Sequence, residues 1–255
     1  MTSAAAIPST APQLASAMSP ERKLAIATGV LFFITHVTSV AAIVLYQPVL
    51  NRPGYVLGNG AANSRILLGG LLEVILAAAV IGTAVTLYPV VSRHNRALAM
   101  GYVGLRTLEA AIIVTGIVSL LAVVSLQHDV AGTAANAAAL TTVGKALVAV
   151  HNWTFIIGPG LVCGLNTVVI AYGLYRSKLV ARFIPVLGLI GGPLVFAANV
   201  TGMFGVPRHD LGVCAVPVFA WEVCLAIFLI TKGYRYTAVT PIVPSDERQP
   251  QLTAA

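Results

Sequence analysis

Six long apolar runs separated by short polar segments dominate the hydrophobic pattern of the chain. They lie at about 24–46, 66–88, 97–126, 147–174, 183–203 and 212–231. Each run reaches the roughly 20 residues that an α-helix needs to cross the hydrocarbon core of a bilayer. The pattern therefore predicts an all-α fold, a bundle of six transmembrane helices.

The segments at the two ends predict one membrane domain with a tail on either side. Residues 1–20 are rich in Ala, Ser and Pro, and residues 237–255 are similar, a composition that predicts disordered tails. The membrane domain then covers 21–236. The first apolar run follows Glu21-Arg22-Lys23 as a signal peptide would, but its about 23 residues exceed the usual signal core of about 7–15. We therefore expect an uncleaved first helix.

Composition supports a membrane protein and makes a nucleic-acid partner improbable on physical grounds. Hydrophobic residues make up 58% of the 255 residues, charged residues only 9%, and the mean hydropathy is +0.90, whereas soluble chains average about 25% charged residues. The net charge of +7 comes from short basic clusters between apolar runs, not from one basic face. The expected partner is the lipid bilayer, alone or with other membrane proteins or further copies of the chain.

The distribution of Lys and Arg predicts the orientation. Of the 15 such residues, 10 fall on the side of the two termini, 4 on the other side and Arg106 within the third run. Because cytoplasmic loops carry the excess of basic residues, both termini are predicted to be cytoplasmic, in a plasma (inner) membrane crossed several times. The external loops are then 47–65, 127–146 and 204–211, and the Ala-rich stretch 130–149 is expected to begin as an interfacial helix.

Four ionisable residues lie inside the predicted spans: Glu73, Arg106, Glu109 and Glu222. At 1.5 Å per residue, Glu73 lies roughly 12 Å from the external end of helix two and Glu222 roughly 15 Å from the external end of helix six. Arg106 and Glu109 lie roughly 15 and 20 Å from the cytoplasmic start of helix three. All four fall in the middle third of the membrane. Arg106 and Glu109 are three residues apart, so they share a helix face and can pair. A charge at this depth is a functional hypothesis by default.

Two interpretations of these charges stay open. In the first, Arg106 bridges helices two, three and six through Glu73 and Glu222 and acts as a structural polar latch in a non-enzymatic bundle. In the second, the chain is a small transporter or proton-coupled carrier, and a spare carboxylate takes up a proton, a cation or a small polar ligand. Three acids against one base leave a formal charge of −2.

A second polar set lies at membrane depth: His36, His151, Asn152, Asn166 and Asn199. His36 is about 15 Å inside helix one and His151 only about 5 Å inside helix four. This difference in level argues against haem held by two histidines. His151-Asn152-Trp153 is expected to anchor at the interface, with the polar pair turned toward the bundle.

No motif in the chain predicts catalysis, a cofactor or a resident metal. GxSxG, HExxH and a glycine-rich phosphate loop are absent from the sequence. The cysteines Cys163, Cys214 and Cys224 lack CxxC spacing, and the His-Asp pairs at 128–129 and 209–210 are weak metal signals. We predict no catalytic residue, cofactor or metal, and an intramembrane enzyme or haem protein is the least favoured function.

Several short motifs resemble one family of membrane proteins. They are Asn95-Arg-Ala-Leu-Ala99 leading into Leu105-Arg-Thr-Leu-Glu-Ala110, His151-Asn152 with Phe155, Gly173-Leu-Tyr-Arg-Ser177, Ile184-Pro-Val-Leu-Gly188 and Trp221-Glu222 with Lys232-Gly233. These segments resemble bacterial proteins of domain-of-unknown-function family 4386, over about residues 22–233. The resemblance implies an integral membrane fold and carries over no catalytic residue.

Overall fold

The computed structural model describes residues 18–52, 54–130, 136–206 and 212–235. Six helical stretches in these ranges are long and apolar enough to cross a membrane, and no strand occurs among the described residues. The all-α, six-span prediction is therefore confirmed. Nearly all of the two predicted tails, 1–20 and 237–255, lies outside the described residues, apart from the last residues of the first tail.

Seven α-helices make up the six spans. Their bounds are α1 Pro20–Leu50, α2 Asn63–Val91, α3 Arg96–Val130, α4 Ala137–Phe155, α5 Cys163–Ser177, α6 Phe183–Met203 and α7 Val216–Thr231. A π-helical segment, Ile156–Val162, joins α4 to α5, so these two helices form one span, Ala137–Ser177. Short 3₁₀ turns occur at Tyr55–Leu57 and Gly212–Ala215.

Polar caps place the helix ends beyond the apolar runs. Ser19 accepts a hydrogen bond from the Arg22 amide at the start of α1, and Asn136 accepts bonds from the amides of Ala138 and Ala139 at the start of α4. Such caps satisfy amide groups that have no partner within the helix. The fourth span therefore begins at Ala137 instead of about 147, and the expected external loop 127–146 is much shorter than predicted. From Ala137 onward the Ala-rich stretch is helical and continuous with that span, and residues 131–135 lie outside the described residues.

The helices form a closed ring in chain order. α1 packs on α2, α2 on α3, α3 on α4, the π segment and α5, α5 on α6, α6 on α7, and α7 on α1. Arg22 of α1 reinforces the closure, since its guanidinium donates to the carbonyls of Leu229 at 3.0 Å and Ile230 at 2.6 Å. These carbonyls belong to the last turn of α7, where a cation is favoured.

Glycines bring α5 and α6 into backbone contact. A Cβ atom added to Gly164 would lie 2.8 Å from the carbonyl oxygen of Gly192, and one added to Gly192 would lie 2.8 Å from that of Gly164. Gly188 has the same role toward Trp221, whose ring would lie 2.8 Å from an added Cβ. Small residues four apart thus allow close helix approach in this bundle.

Prolines lie in the π-helical segment, inside α6 and in the first turns of α6 and α7. Pro159 lies in the π segment, Pro193 in the interior of α6, Pro185 at the third residue of α6 and Pro217 in the first turn of α7. Proline removes a backbone donor and disturbs the regular hydrogen-bond ladder. The irregular backbone around Pro159 borders the polar centre described below.

Replacing Gly164 with alanine tests the close packing of α5 on α6. We expect the midpoint of thermal unfolding in detergent to fall by several degrees, because overpacking against a backbone costs about 1–3 kcal/mol. Gly104→Ala is the matched control, since nothing lies within 4 Å of a Cβ at that helical glycine. Equal midpoints for the two variants would contradict the packing described here.

Candidate functional site

Arg106 is the centre of a buried ion-pair network. Its Nη1 donates to Oε2 of Glu109 at 3.1 Å, and its Nη2 donates to Oε1 of Glu222 at 3.1 Å. Its Nε donates to the hydroxyl of Tyr102 at 3.0 Å. The relative exposure of Arg106 is 3%, of Glu109 4% and of Glu222 8%. One cation in the membrane interior therefore joins α3 to α7, and each of its three nitrogens has a partner.

Asn166 extends this network to α5. Its Nδ2 donates to Oε2 of Glu109 at 2.7 Å, and the residue is fully buried. The Oδ1 atom on the other side of the amide accepts no hydrogen bond among the described residues. Glu109 is therefore held by two donors from two helices, which fixes its carboxylate in one position.

His36 brings α1 to the same network. Its Nε2 lies 3.4 Å from Oε2 of Glu222, and its Nδ1 lies 2.8 Å from the carbonyl oxygen of Phe32. Because a carbonyl only accepts, Nδ1 must carry a hydrogen. In a neutral ring Nε2 then presents a lone pair to the carboxylate, so attraction between His36 and Glu222 requires one additional proton on either group.

Glu73 is not part of the Arg106 ion pairs. Among the described residues it accepts a hydrogen bond from the Tyr46 hydroxyl at 2.9 Å, while the ion pairs of Arg106 are with Glu109 and Glu222. The predicted bridge from Arg106 to Glu73 is therefore wrong. Tyr46 of α1 approaches α2 at Gly69, where an added Cβ would lie 2.7 Å from its ring, and Glu73 one turn further on faces that ring.

One cavity nevertheless joins all four charged residues. It has a volume of about 170 Å³ and lies inside the ring of helices, and we call it the central cavity. Its polar and thiol lining residues are Thr35, His36, Ser39, Glu73, Arg106, Glu109, Cys163 and Glu222. At ~30 Å³ per water molecule, this space holds roughly five waters or one small organic cation.

The remaining residues of the second polar set lie away from the charged cluster. His151 is buried, and its ring packs edge-on against Tyr46, with centroids 5.5 Å apart. Asn152 is exposed, so the expectation that it turns into the bundle is wrong. Asn199 donates to the carbonyl of Val195 in its own helix at 2.8 Å and packs against Gly160.

Two tyrosines that bond to the charged residues were missed by sequence reasoning, Tyr102 at Arg106 and Tyr46 at Glu73. Tyr102 lies one helical turn before Arg106. Its side chain is uncharged, so a search for charged residues in the spans does not find it. Its spacing of four residues from Arg106 was the available signal. Tyr46 offered no such signal, because its partner Glu73 lies on another helix.

The described residues contain no group of three or more His, Cys, Asp or Glu arranged to hold a metal ion. His128 and Asp129 are 3.8 Å apart with side chains that are 87% and 77% exposed. His209 and Asp210 lie outside the described residues. The metal signals of the sequence therefore gain no support from geometry within this part of the chain.

Fold and site together define a multi-pass membrane protein with an ion-pair network at its centre. The chain belongs to the family described as Domain of unknown function (DUF4386), whose model matches residues 27–233. The resemblance drawn from the sequence motifs is thus confirmed. No curated protein and no solved structure matches the chain.

Removing Arg106 tests whether the network holds the bundle together. We expect Arg106→Leu to lower stability by about 3–5 kcal/mol, because it leaves two buried carboxylates without their cation. Thermal unfolding of the purified protein in detergent measures the change. Arg106→Leu combined with Glu222→Leu should recover part of the loss, since one unpaired carboxylate is then removed as well.

The exposed pair of Arg93 and Glu21, 3.5 Å apart, provides the control. Arg93→Leu should change the unfolding midpoint little, because exposed ion pairs contribute about 0–1 kcal/mol. Strictly additive losses in the Arg106 and Glu222 variants would show that the two residues stabilise the fold independently.

Proposed function

We propose that this protein is a small carrier whose central cavity binds a proton or a small cation, with Arg106 serving as the latch that holds the site. The observation that carries the proposal is the central cavity itself. Three carboxylates and His36 line one space in the membrane interior. Arg106, the one guanidinium that lines it in the described part of the chain, already has a partner for each nitrogen.

The charge balance of the cavity favours a cationic ligand. Arg106 neutralises one of the three carboxylates, so two negative charges remain if all acids are ionised. Uncompensated charge in a low-dielectric interior costs several kcal/mol per ion. Protons bound at Glu73 and between His36 and Glu222, or a cation in the cavity, remove this imbalance. An anionic ligand would increase it.

The size and lining of the cavity also favour binding. A network that acts only in packing requires no open space, since protein interiors are normally filled to crystal-like density. Here the hydroxyls of Thr35 and Ser39 line the cavity together with the acids. Both are drawn toward their own helix, Thr35 to the carbonyl of Phe32 and Ser39 to that of His36. Their oxygens keep lone pairs for a bound cation or water.

The second candidate function is a non-enzymatic bundle in which the network is a latch alone, serving as a partner or sensor for other membrane components. The full set of hydrogen bonds on Arg106 favours it. The two candidates differ in what happens at Glu73, which the latch does not use. In the carrier, Glu73 takes up and releases a proton or cation. In the latch, the protonation and the partner of Glu73 do not change.

The excess of Lys and Arg on one side supports cytoplasmic termini and a plasma membrane location. With six crossings, an even number, the proposal has Met18 and Arg235, the first and last described residues, on the same side of the membrane. Arg22, Arg93, Arg96, Arg176 and Lys178 lie at the helix ends of that side. For the carrier, the opposite ends of the helices then face the exterior.

Infrared difference spectroscopy tests the proton-binding form of the carrier. In a series from acidic to neutral pH, we expect a protonated-carboxyl C=O band that weakens as the pH rises. Glu73→Gln or Glu222→Gln should remove that band or part of it. Glu21→Gln, at a partly exposed position outside the network, should leave it unchanged.

A wild-type spectrum without such a band would exclude proton binding in this pH range. The cation form is tested separately by the unfolding midpoint of wild type and Glu73→Gln in a series of small ammonium ions. A rise in the midpoint that Glu73→Gln abolishes supports the carrier. No band and no rise together would leave the latch as the better proposal.

A further inference from the structure

A second cavity lies between the end of α1 and α4, and its lining includes Arg52, two residues after α1, and Lys145 within α4. It has a volume of about 150 Å³, and we call it the outer cavity. Its walls include Val49, Arg52, Tyr55, Val123, Lys145 and Val148. α1 packs mainly on α2 and α7, and α4 mainly on α3, while the 3₁₀ turn Tyr55–Leu57, which follows α1, packs on α4.

One pair of rings occupies the level between the outer and the central cavity. On α1, Tyr46 is three residues from Val49 of the outer cavity and three from Ile43 of the central cavity. On α4, His151 is three residues after Val148 and four before Phe155, which lines the central cavity. Each ring is therefore about one helical turn from both cavities.

The two rings are buried and pack edge-on against each other at this level. Their centroids are 5.5 Å apart with an interplanar angle of 79°, and the relative exposure of Tyr46 is 1% and of His151 6%. A glycine of a neighbouring helix packs against each ring, Gly69 of α2 against Tyr46 and Gly116 of α3 against His151. An added Cβ would lie 2.7 Å from the Tyr46 ring at Gly69 and 3.2 Å from Nδ1 of His151 at Gly116.

We propose that Tyr46 and His151 form a gate, and that the outer cavity beyond it is the route by which a proton or small cation reaches Glu73. This inference rests on the proposed carrier function and adds its access path. The gate is coupled to the site because the Tyr46 hydroxyl donates to the Glu73 carboxylate. A proton or cation at Glu73 competes with that hydroxyl for the same oxygen and thereby weakens the bond that holds the ring closed.

A further cavity adjoins the central cavity and defines a competing route. Phe155 and Pro159 also line a cavity of about 240 Å³ between the π segment and α6. Access from there would bypass Tyr46 and His151. The residues of α4 that face the outer cavity therefore distinguish the two routes, since the α6 route does not pass them.

A native thiol reports access to the central cavity. Cys163 lines it, so Cys214→Ser and Cys224→Ser leave a single reactive reporter among the three cysteines. The probe is 2-aminoethyl methanethiosulfonate, a small cationic thiol reagent, added outside sealed vesicles that contain free cysteine as a scavenger. Mass spectrometry follows the modification of Cys163, with vesicles oriented so that Arg52 faces the reagent.

Val148→Trp should obstruct the outer cavity and slow the modification of Cys163 by about fivefold or more, as expected for a blocked access path. Val150→Trp is the matched control, because Val150 is exposed on the same helix and does not line that cavity. Tyr46→Ala should accelerate the reaction by a similar factor. Tyr46→Phe keeps the ring but loses the bond to Glu73, so it should accelerate the reaction less.

Equal rates in Val148→Trp and Val150→Trp, with Cys163 still modified, would overturn the route through the outer cavity while leaving the carrier standing. A Cys163 that reacts from neither face, even in Tyr46→Ala, would overturn both the gate and the accessible site. Because Val148→Trp changes no gate residue, its result decides the route even where Tyr46→Ala fails to fold.

Discussion

The structure depends on one guanidinium placed between two carboxylates in the middle of a membrane. Arg106 on α3 binds Glu109 on the same helix and Glu222 on α7. Asn166 adds α5 through Glu109, and His36 adds α1 through Glu222. Helices in lipid gain little from apolar contact with one another, so these polar bonds set which helix faces which and at what level.

Packing is dense on one side of this centre and open on the other. α5 and α6 touch backbone to backbone at Gly164 and Gly192, which leaves little freedom for sliding. The fourth span instead changes to a π-helical segment with Pro159 where it borders the central cavity. Such bulges widen a helix locally and are frequent at functional sites. The same span thus holds the bundle rigidly through α5 and leaves space for the cavity beside Pro159.

Hydropathy and the rise of a helix were sufficient to predict six spans, one layer of charges and the Arg106–Glu109 pair at three-residue spacing. They did not predict cross-helix partners. α2 is apolar nearly all round, so no polar face showed that Glu73 turns toward Tyr46 rather than Arg106. The same applies to Asn152, which was expected to face inward and is exposed. The rotation of each helix about its axis is set by residues on neighbouring helices. These partners are far apart along the chain, and Arg106 and Glu222 are separated by 116 residues.

The latch and the carrier share Glu222 but use different oxygens of it, and only the carrier uses Glu73, so one structure accommodates both. Arg106 binds Glu109 and one oxygen of Glu222, and these bonds persist whatever happens at Glu73. The other oxygen of Glu222 faces His36, and Glu73 faces Tyr46. The two charges that Arg106 leaves unbalanced therefore lie at groups with mobile hydrogens, a histidine and a tyrosine. Loading a proton or cation there alters the local charge without breaking the ion pairs that fix α3 to α7. In the proposed carrier, this division would allow ligand to bind and leave while the bundle stays assembled.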